Sequence, residues 1–133
     1  MKPSIPINLL ASLLLSLAAS ADAADAWSNA RQVVVVMVDN RFQPDHITFQ
    51  SGKPTELRLE NHGKDMHEFT APTFLRTAVV RDNGLLSNGA TDIVVQPGQT
   101  VRVRLTPGPA GDYSLTCADH DWDGMIGSIS VVR

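Results

Sequence analysis

The sequence predicts an all-β domain, a Greek-key β-sandwich in which antiparallel pairs dominate. Three observations predict it: short runs in which apolar and polar residues alternate with period two, Gly- and Pro-containing turns between those runs, and the lack of any helical apolar period after residue 26. About seven strands can be placed in this way.

Gln32 to Val38 is a continuous apolar run closed by Asp39-Asn40, and its four consecutive valines favour a strand over a buried helix. Such a run suits a strand buried on both faces or packed beneath a sandwich. His46 to Gln50 alternates around Ile47 and Phe49, Ser51-Gly52-Lys53-Pro54 forms a turn, and Thr55 to Asn61 alternates around Leu57 and Leu59. His67 and Phe69 share one face of the next strand. Ala71 to Asn88 is the least regular part; it reads as a strand or bulged edge followed by a loop through Asn83-Gly84 and Asn88-Gly89, with a short helix as the alternative. Thr91 to Val95, the turn Gln96-Pro97-Gly98-Gln99, and Thr100 to Thr106 come next, with Val101, Val103 and Leu105 on one face and Arg102 and Arg104 on the other. Pro107 to Gly111 breaks the chain before a strand at Tyr113 to Cys117, and Gly127 to Val132 is the last strand. No repeat, low-complexity tract or linker interrupts the series.

The N-terminal segment has a different character. Lys2, an apolar run from Ile5 to Ala19 and the small-residue pattern Ala21-Asp22-Ala23 read as a signal peptide over residues 1–23, with cleavage after Ala21 or Ala26 as alternatives. The run is shorter than the roughly 20 residues a membrane-spanning helix needs. No cysteine lies near the cleavage region to carry a lipid, so no membrane anchor is expected once the signal is removed, and residues 24–133 form one exported domain placed in the periplasm. Those residues carry ten basic and thirteen acidic side chains, a net charge of −3 that favours neither nucleic acid nor an anionic membrane as partner.

Cys117 is the only cysteine, so no internal disulfide can form in an oxidising compartment. An isolated cysteine would read as a buried, inert residue. Here it stands three residues before His120 and eight before Met125, in one loop between two strands. Thiolate, imidazole and thioether are soft or borderline donors, and two His, one Cys and a weak axial Met suit copper in one-electron transfer. The second imidazole must come from elsewhere. His67 is preferred because it alternates with Phe69 along a strand, whereas His62 adjoins Gly63 in a turn and His46 precedes a strand as a surface residue. Gly124 and Gly127 leave room for close backbone packing around Met125.

The patterns N-x-G-x-x-x-H-x-F at Asn61 to Phe69 and Y-x-x-x-C-x-x-H-x-x-x-x-M-x-G at Tyr113 to Gly127 resemble those of the cupredoxins, the type 1 blue copper proteins. The Cys-x2-His-x4-Met spacing is closer to plastocyanin and pseudoazurin than to azurin. The resemblance implies one copper per chain, held by His67, Cys117, His120 and Met125, with His120 as the solvent-facing ligand through which the electron leaves. It also implies an Asn directly after the first histidine, where an amide ties the ligand loops together. This chain has Glu68 there. A carboxylate so close would stabilise Cu(II) and lower the potential unless protonated or paired.

Around His120 the sequence is Asp119-His120-Asp121-Trp122-Asp123, three carboxylates where many electron-carrying cupredoxins present an apolar patch. A solvated polar loop is the plain reading. The sharper one is that Asp119 and Asp121, with Glu68 and Asp65 nearby, draw a hard divalent cation such as Fe2+ to the edge of the copper site. The His-Glu-Phe and acidic-loop features are similar to the small periplasmic cupredoxins of bacterial ferrous-iron uptake. That resemblance implies oxidation of Fe2+, with a periplasmic iron-binding protein and an iron permease as partners. Two alternatives stand beside it: a general shuttle to a cytochrome or copper enzyme, for which an exposed Trp122 would anchor a redox partner protein, and a non-redox copper-binding or chaperone protein. The last lacks the Met-rich tracts a copper carrier would use. Hydrolytic, phosphate-loop and zinc-ribbon patterns are absent.

Overall fold

The computed structural model describes residues 27–133, so the signal-peptide reading lies outside the described residues. Ten strands make two five-stranded sheets. The first sheet has the order β2-β1-β4-β8-β6, from Arg41–Gln43, Arg31–Val38, Thr55–Asn61, Thr100–Thr106 and Val79–Val80. The second has the order β3-β10-β9-β5-β7, from His46–Gln50, Ile126–Val132, Gly111–Thr116, His67–Thr70 and Asp92–Val95. The β1–β4 and β3–β10 pairs are parallel and the other ladders antiparallel. An all-β sandwich is what the alternation led one to expect.

Alternation accounts for the inner faces. Leu57, Leu59, Val103 and Leu105 are fully buried and face Phe69, Ile93, Leu115 and Ile129 of the other sheet in one core. Burying each such side chain contributes about 1.5–3 kcal/mol. The valine run of β1 is half-buried rather than enclosed on both faces: Val33, Val35 and Met37 turn inward, while Val34 is exposed and Val36 intermediate. Edge and near-edge position explains this, since β1 is followed outward by a strand of only three residues.

The irregular segment contains a helix, α1, at Pro72–Thr77, so the short-helix alternative applies and the reading without helix needs correcting. Pro72 occupies the first turn, where its missing N–H costs nothing, and Phe74 and Leu75 are buried in the core. The expected edge strand is β6, and a 3-10 turn at Asn83–Leu85 follows it.

The topology brings the site together at one end of the second sheet. Strand β5 begins with His67, β9 ends one residue before Cys117, and β10 begins one residue after Met125. Thr70 pairs with Thr116, and continuing that antiparallel register carries the 117–120 loop alongside Glu68 and His67. The β9–β10 ladder is extended one step by Cys117 N–H donating to the Met125 carbonyl at 3.0 Å.

Candidate metal centre

Cys117 is fully buried, and its Sγ lies 3.4 Å from His120 Nδ1 and 4.0 Å from His67 Nδ1. The three donor atoms lie within 4.8 Å of one another. Bonds of about 2.0 Å to nitrogen and 2.3 Å to sulfur, spread trigonally around one ion, would separate sulfur and nitrogen by roughly 3.7 Å. The donor set and its spacing therefore fit a soft transition ion. Met125 is also fully buried, and its N–H donates to the His120 carbonyl at 3.1 Å. Together with the bond from Cys117, this pins the methionine backbone to both loop ligands. The structure thus brings together the four residues the sequence singled out, as a group that could form the copper site.

The two imidazoles differ in exposure. His67 is wholly enclosed, whereas His120 is half-buried at the surface end of its loop; the rings meet edge to face, centroids 4.9 Å apart. His62 is exposed and pairs with Glu60 at 2.9 Å, and exposed His46 contacts the Ser128 hydroxyl at 2.8 Å. Neither joins the group.

Burial pushes the Cys117 thiol up, and backbone N–H groups of Glu68, Asp119 and His120 oppose that. The Glu68 N–H donates to Sγ at 3.3 Å. Bound metal removes the thiol proton outright.

Several supporting residues were not visible in the sequence. Asp39, in the turn after β1, accepts N–H bonds from Lys64 at 2.9 and 3.1 Å, and from Asp65 at 3.4 Å. The Lys64 bond is the main reason its carboxyl lies below the usual range. Its Oδ1 is 3.2 Å from His67 Nε2, which places the ring proton on Nε2 and leaves Nδ1 free to face Cys117. A Cβ at Gly63 would collide with Asp39 Oδ1 and stand 3.0 Å from His67 Nε2, so only glycine admits this contact. The neighbouring Asn40, in the left-handed region, donates from Nδ2 to the Asp123 carboxylate. One turn therefore holds both ligand loops.

Buried Asn61 orders the first loop: its Nδ2 donates to the carbonyls of Asp65 at 2.8 Å and Val95 at 2.9 Å, and its Oδ1 accepts from Gly63 N–H at 2.9 Å. Glu68 does not make the tie expected of an asparagine. The Thr70 hydroxyl does so instead, accepting from Ala118 N–H at 3.3 Å. Gly127 serves a contact other than Met125, since a Cβ there would lie 2.6 Å from the Asp45 carbonyl.

The acidic candidates separate. Glu68 is 8 % exposed, and its Oε2 has no hydrogen-bond partner. Burial is the main cause of its raised carboxyl; repulsion from Asp119 and Asp92 adds to it and His120 opposes it. Asp119 and Asp121 are exposed, while Asp123 is committed to Asn40. Trp122 is 79 % exposed, its indole N–H donating to the Asp119 carbonyl at 2.9 Å, and Ile126 is also exposed. Among the described residues no helix is long and apolar enough to cross a membrane.

The family model for the cupredoxin-like domain matches residues 8–131. Plastocyanin of Cucumis sativus is 29% identical over 90 residues, covering 68% of this chain and 86% of the relative. Among solved structures, auracyanin B aligns with TM-score 0.60 and 17% identity over 78% of this chain and 90% of its own. Dithionite-reduced auracyanin from Roseiflexus castenholzii aligns with TM-score 0.59 and 13% identity over 78% and 98%. At these identities the two neighbours speak for the fold. A family match over nearly the whole chain, joined to a buried thiol flanked by two imidazoles, makes the chain a member of the cupredoxin-like domain family and an electron-transfer copper protein.

Proposed function

We propose that His67, Cys117, His120 and Met125 hold the copper, and that the chain is an exported periplasmic carrier which takes electrons from Fe2+ in a ferrous-iron uptake system. Bound copper supplies a Cu(II)/Cu(I) couple, so that one Fe2+ becomes Fe3+ for each copper reduced. The observation that carries the reading is Glu68, a buried carboxylate with an unpartnered oxygen. Its own N–H contacts Cys117 Sγ, and Asp119, in the loop beside it, is exposed. Carboxylates attract a hard cation to the half-buried imidazole, and His120 is the short path inward. A redox partner protein then reoxidises the site, and an iron-binding protein and a permease receive the product.

The test is an anaerobic titration of the Cu(II)-loaded protein with Fe2+, following the blue thiolate-to-copper absorption. Prompt, stoichiometric bleaching is expected. Asp119→Asn should slow it at least tenfold while leaving reduction by a neutral small-molecule donor nearly unchanged. Equal slowing with both donors would contradict the reading.

A second reading has its own support in Trp122 and Ile126, exposed apolar side chains in and just after the ligand loop. They suit docking to a cytochrome or copper enzyme. That reading expects Trp122→Ala to slow electron exchange with a protein partner and Fe2+ to leave the blue band intact.

A further inference from the structure

We propose that Glu68 and Asp92 form a seat for a hard divalent cation beneath the loop that carries His120, on the face of β5 and β7 turned away from the core. The proposal rests on the ferrous reading for the identity of the cation, and it names where that ion sits.

The register places the first two groups. Thr70 of β5 pairs with Asp92 of β7 and Glu68 pairs with Val94, so Glu68, Thr70, Val94 and Asp92 share one face while His67, Phe69, Ile93 and Val95 take the other. Glu68 and Asp92 are then diagonal neighbours, within reach for long side chains. The Ala118 N–H bond to Thr70 lays the start of the Asp119 loop over the same face.

The unpartnered oxygens point to a ligand. Asp92 is 3 % exposed and Glu68 8 %, yet Asp92 Oδ1 and Glu68 Oε2 lack any hydrogen-bond partner. The other Asp92 oxygen, Oδ2, accepts from Asn88 Nδ2, which fixes the carboxylate and leaves Oδ1 free. Among the described residues no lysine or arginine forms an ion pair with Glu68, Asp92 or Asp119. Two buried carboxylates each missing a partner are costly, more so when ionised, and native proteins keep such groups where an ion or a function satisfies them. Oxygen-only donors at that spot select a hard cation over copper, which the thiolate and imidazoles claim.

The experiment uses the copper-loaded protein reduced to Cu(I), with Mn2+ as a redox-silent probe read by electron paramagnetic resonance. Wild type should bind one Mn2+ per chain. The double variant Glu68→Gln, Asp92→Asn should bind it at least tenfold more weakly, while Asp112→Asn, at the end of β9 away from Cys117, should bind as wild type does. Reoxidation to Cu(II) and return of the blue band shows that each variant is folded. No Mn2+ binding by wild type, or equal binding by the folded double variant, would overturn the seat. Fe2+ titration separates the two ideas. Mn2+ binding that depends on Glu68 and Asp92, without bleaching by Fe2+, supports the seat and defeats the ferrous reading. Equally fast bleaching of wild type and the double variant defeats the seat and leaves the ferrous reading standing.

Discussion

A carboxylate buried beside a thiolate ligand works against folding, and Glu68 does so with a definite pH dependence. Burial above all, then Asp119 and Asp92, raise its carboxyl. The folded chain thus holds this proton more tightly than the unfolded chain. Stability contributed by the neutral form is full below the ordinary Glu range and is lost as pH rises through the raised value. Thermal melts of the copper-free protein should therefore show Glu68→Gln melting a few degrees above wild type near pH 7, roughly 1 kcal/mol, with the two converging near pH 4. A difference that grows as pH falls would contradict this origin. Asp39 acts in the opposite sense, as a positioning residue for His67. Asp39→Ala should lower copper affinity about 10–100-fold in chelator competition, and Asp39→Asn should recover most of the loss by keeping an acceptor toward Lys64 and a partner for the ring. Cys117, His120 and Met125 were legible in the sequence because one loop holds all three, and loop spacing is local information. Asp39 and Thr70 were not, since their contacts with His67 and Ala118 span 28 and 48 residues and arise only once the sheets have paired.

At the scale of elements, the site depends on two loops held by partners outside them. Asn61 is the clearest case, with three bonds to backbone groups of its own loop and of β7. Asn61→Ala would strand those groups and should cost about 3 kcal/mol, seen as a lower denaturation midpoint and as faster amide exchange across residues 61–67. An unchanged midpoint would mean that water replaces all three. Strands β3, β4 and β8 could be read to the residue, because each alternates cleanly between two turns. Helix α1 could not be. Six residues are too few to be helical by propensity, and burial of Phe74 and Leu75 in a core drawn from both sheets decides the outcome. Three-residue β2 was likewise missed, since Phe42 is its one buried side chain. The inward turn of only alternate valines in β1 depends on its place in the sheet order, which composition does not carry.

At the scale of the molecule, a sandwich that already places Cys117 between two imidazoles is a frame into which copper enters with little rearrangement. Copper-free and copper-loaded protein should give nearly superimposable far-ultraviolet circular dichroism. The midpoint of unfolding should rise with free copper in proportion to the logarithm of its concentration over Kd. The fold was the most legible feature, because a two-residue period and turn chemistry recur along nearly every strand. The acid face beside His120 was only half legible: Asp119 and Glu68 stand next to ligands in sequence, but Asp92 reaches them solely through the β5–β7 register. The central claim is that the chain carries copper through a thiolate. Its most direct test is the visible spectrum of the protein on addition of Cu(II). The expected result is an intense blue charge-transfer band that saturates at one copper per chain and vanishes in Cys117→Ser. A colourless complex, or a band that survives that substitution, would contradict the account.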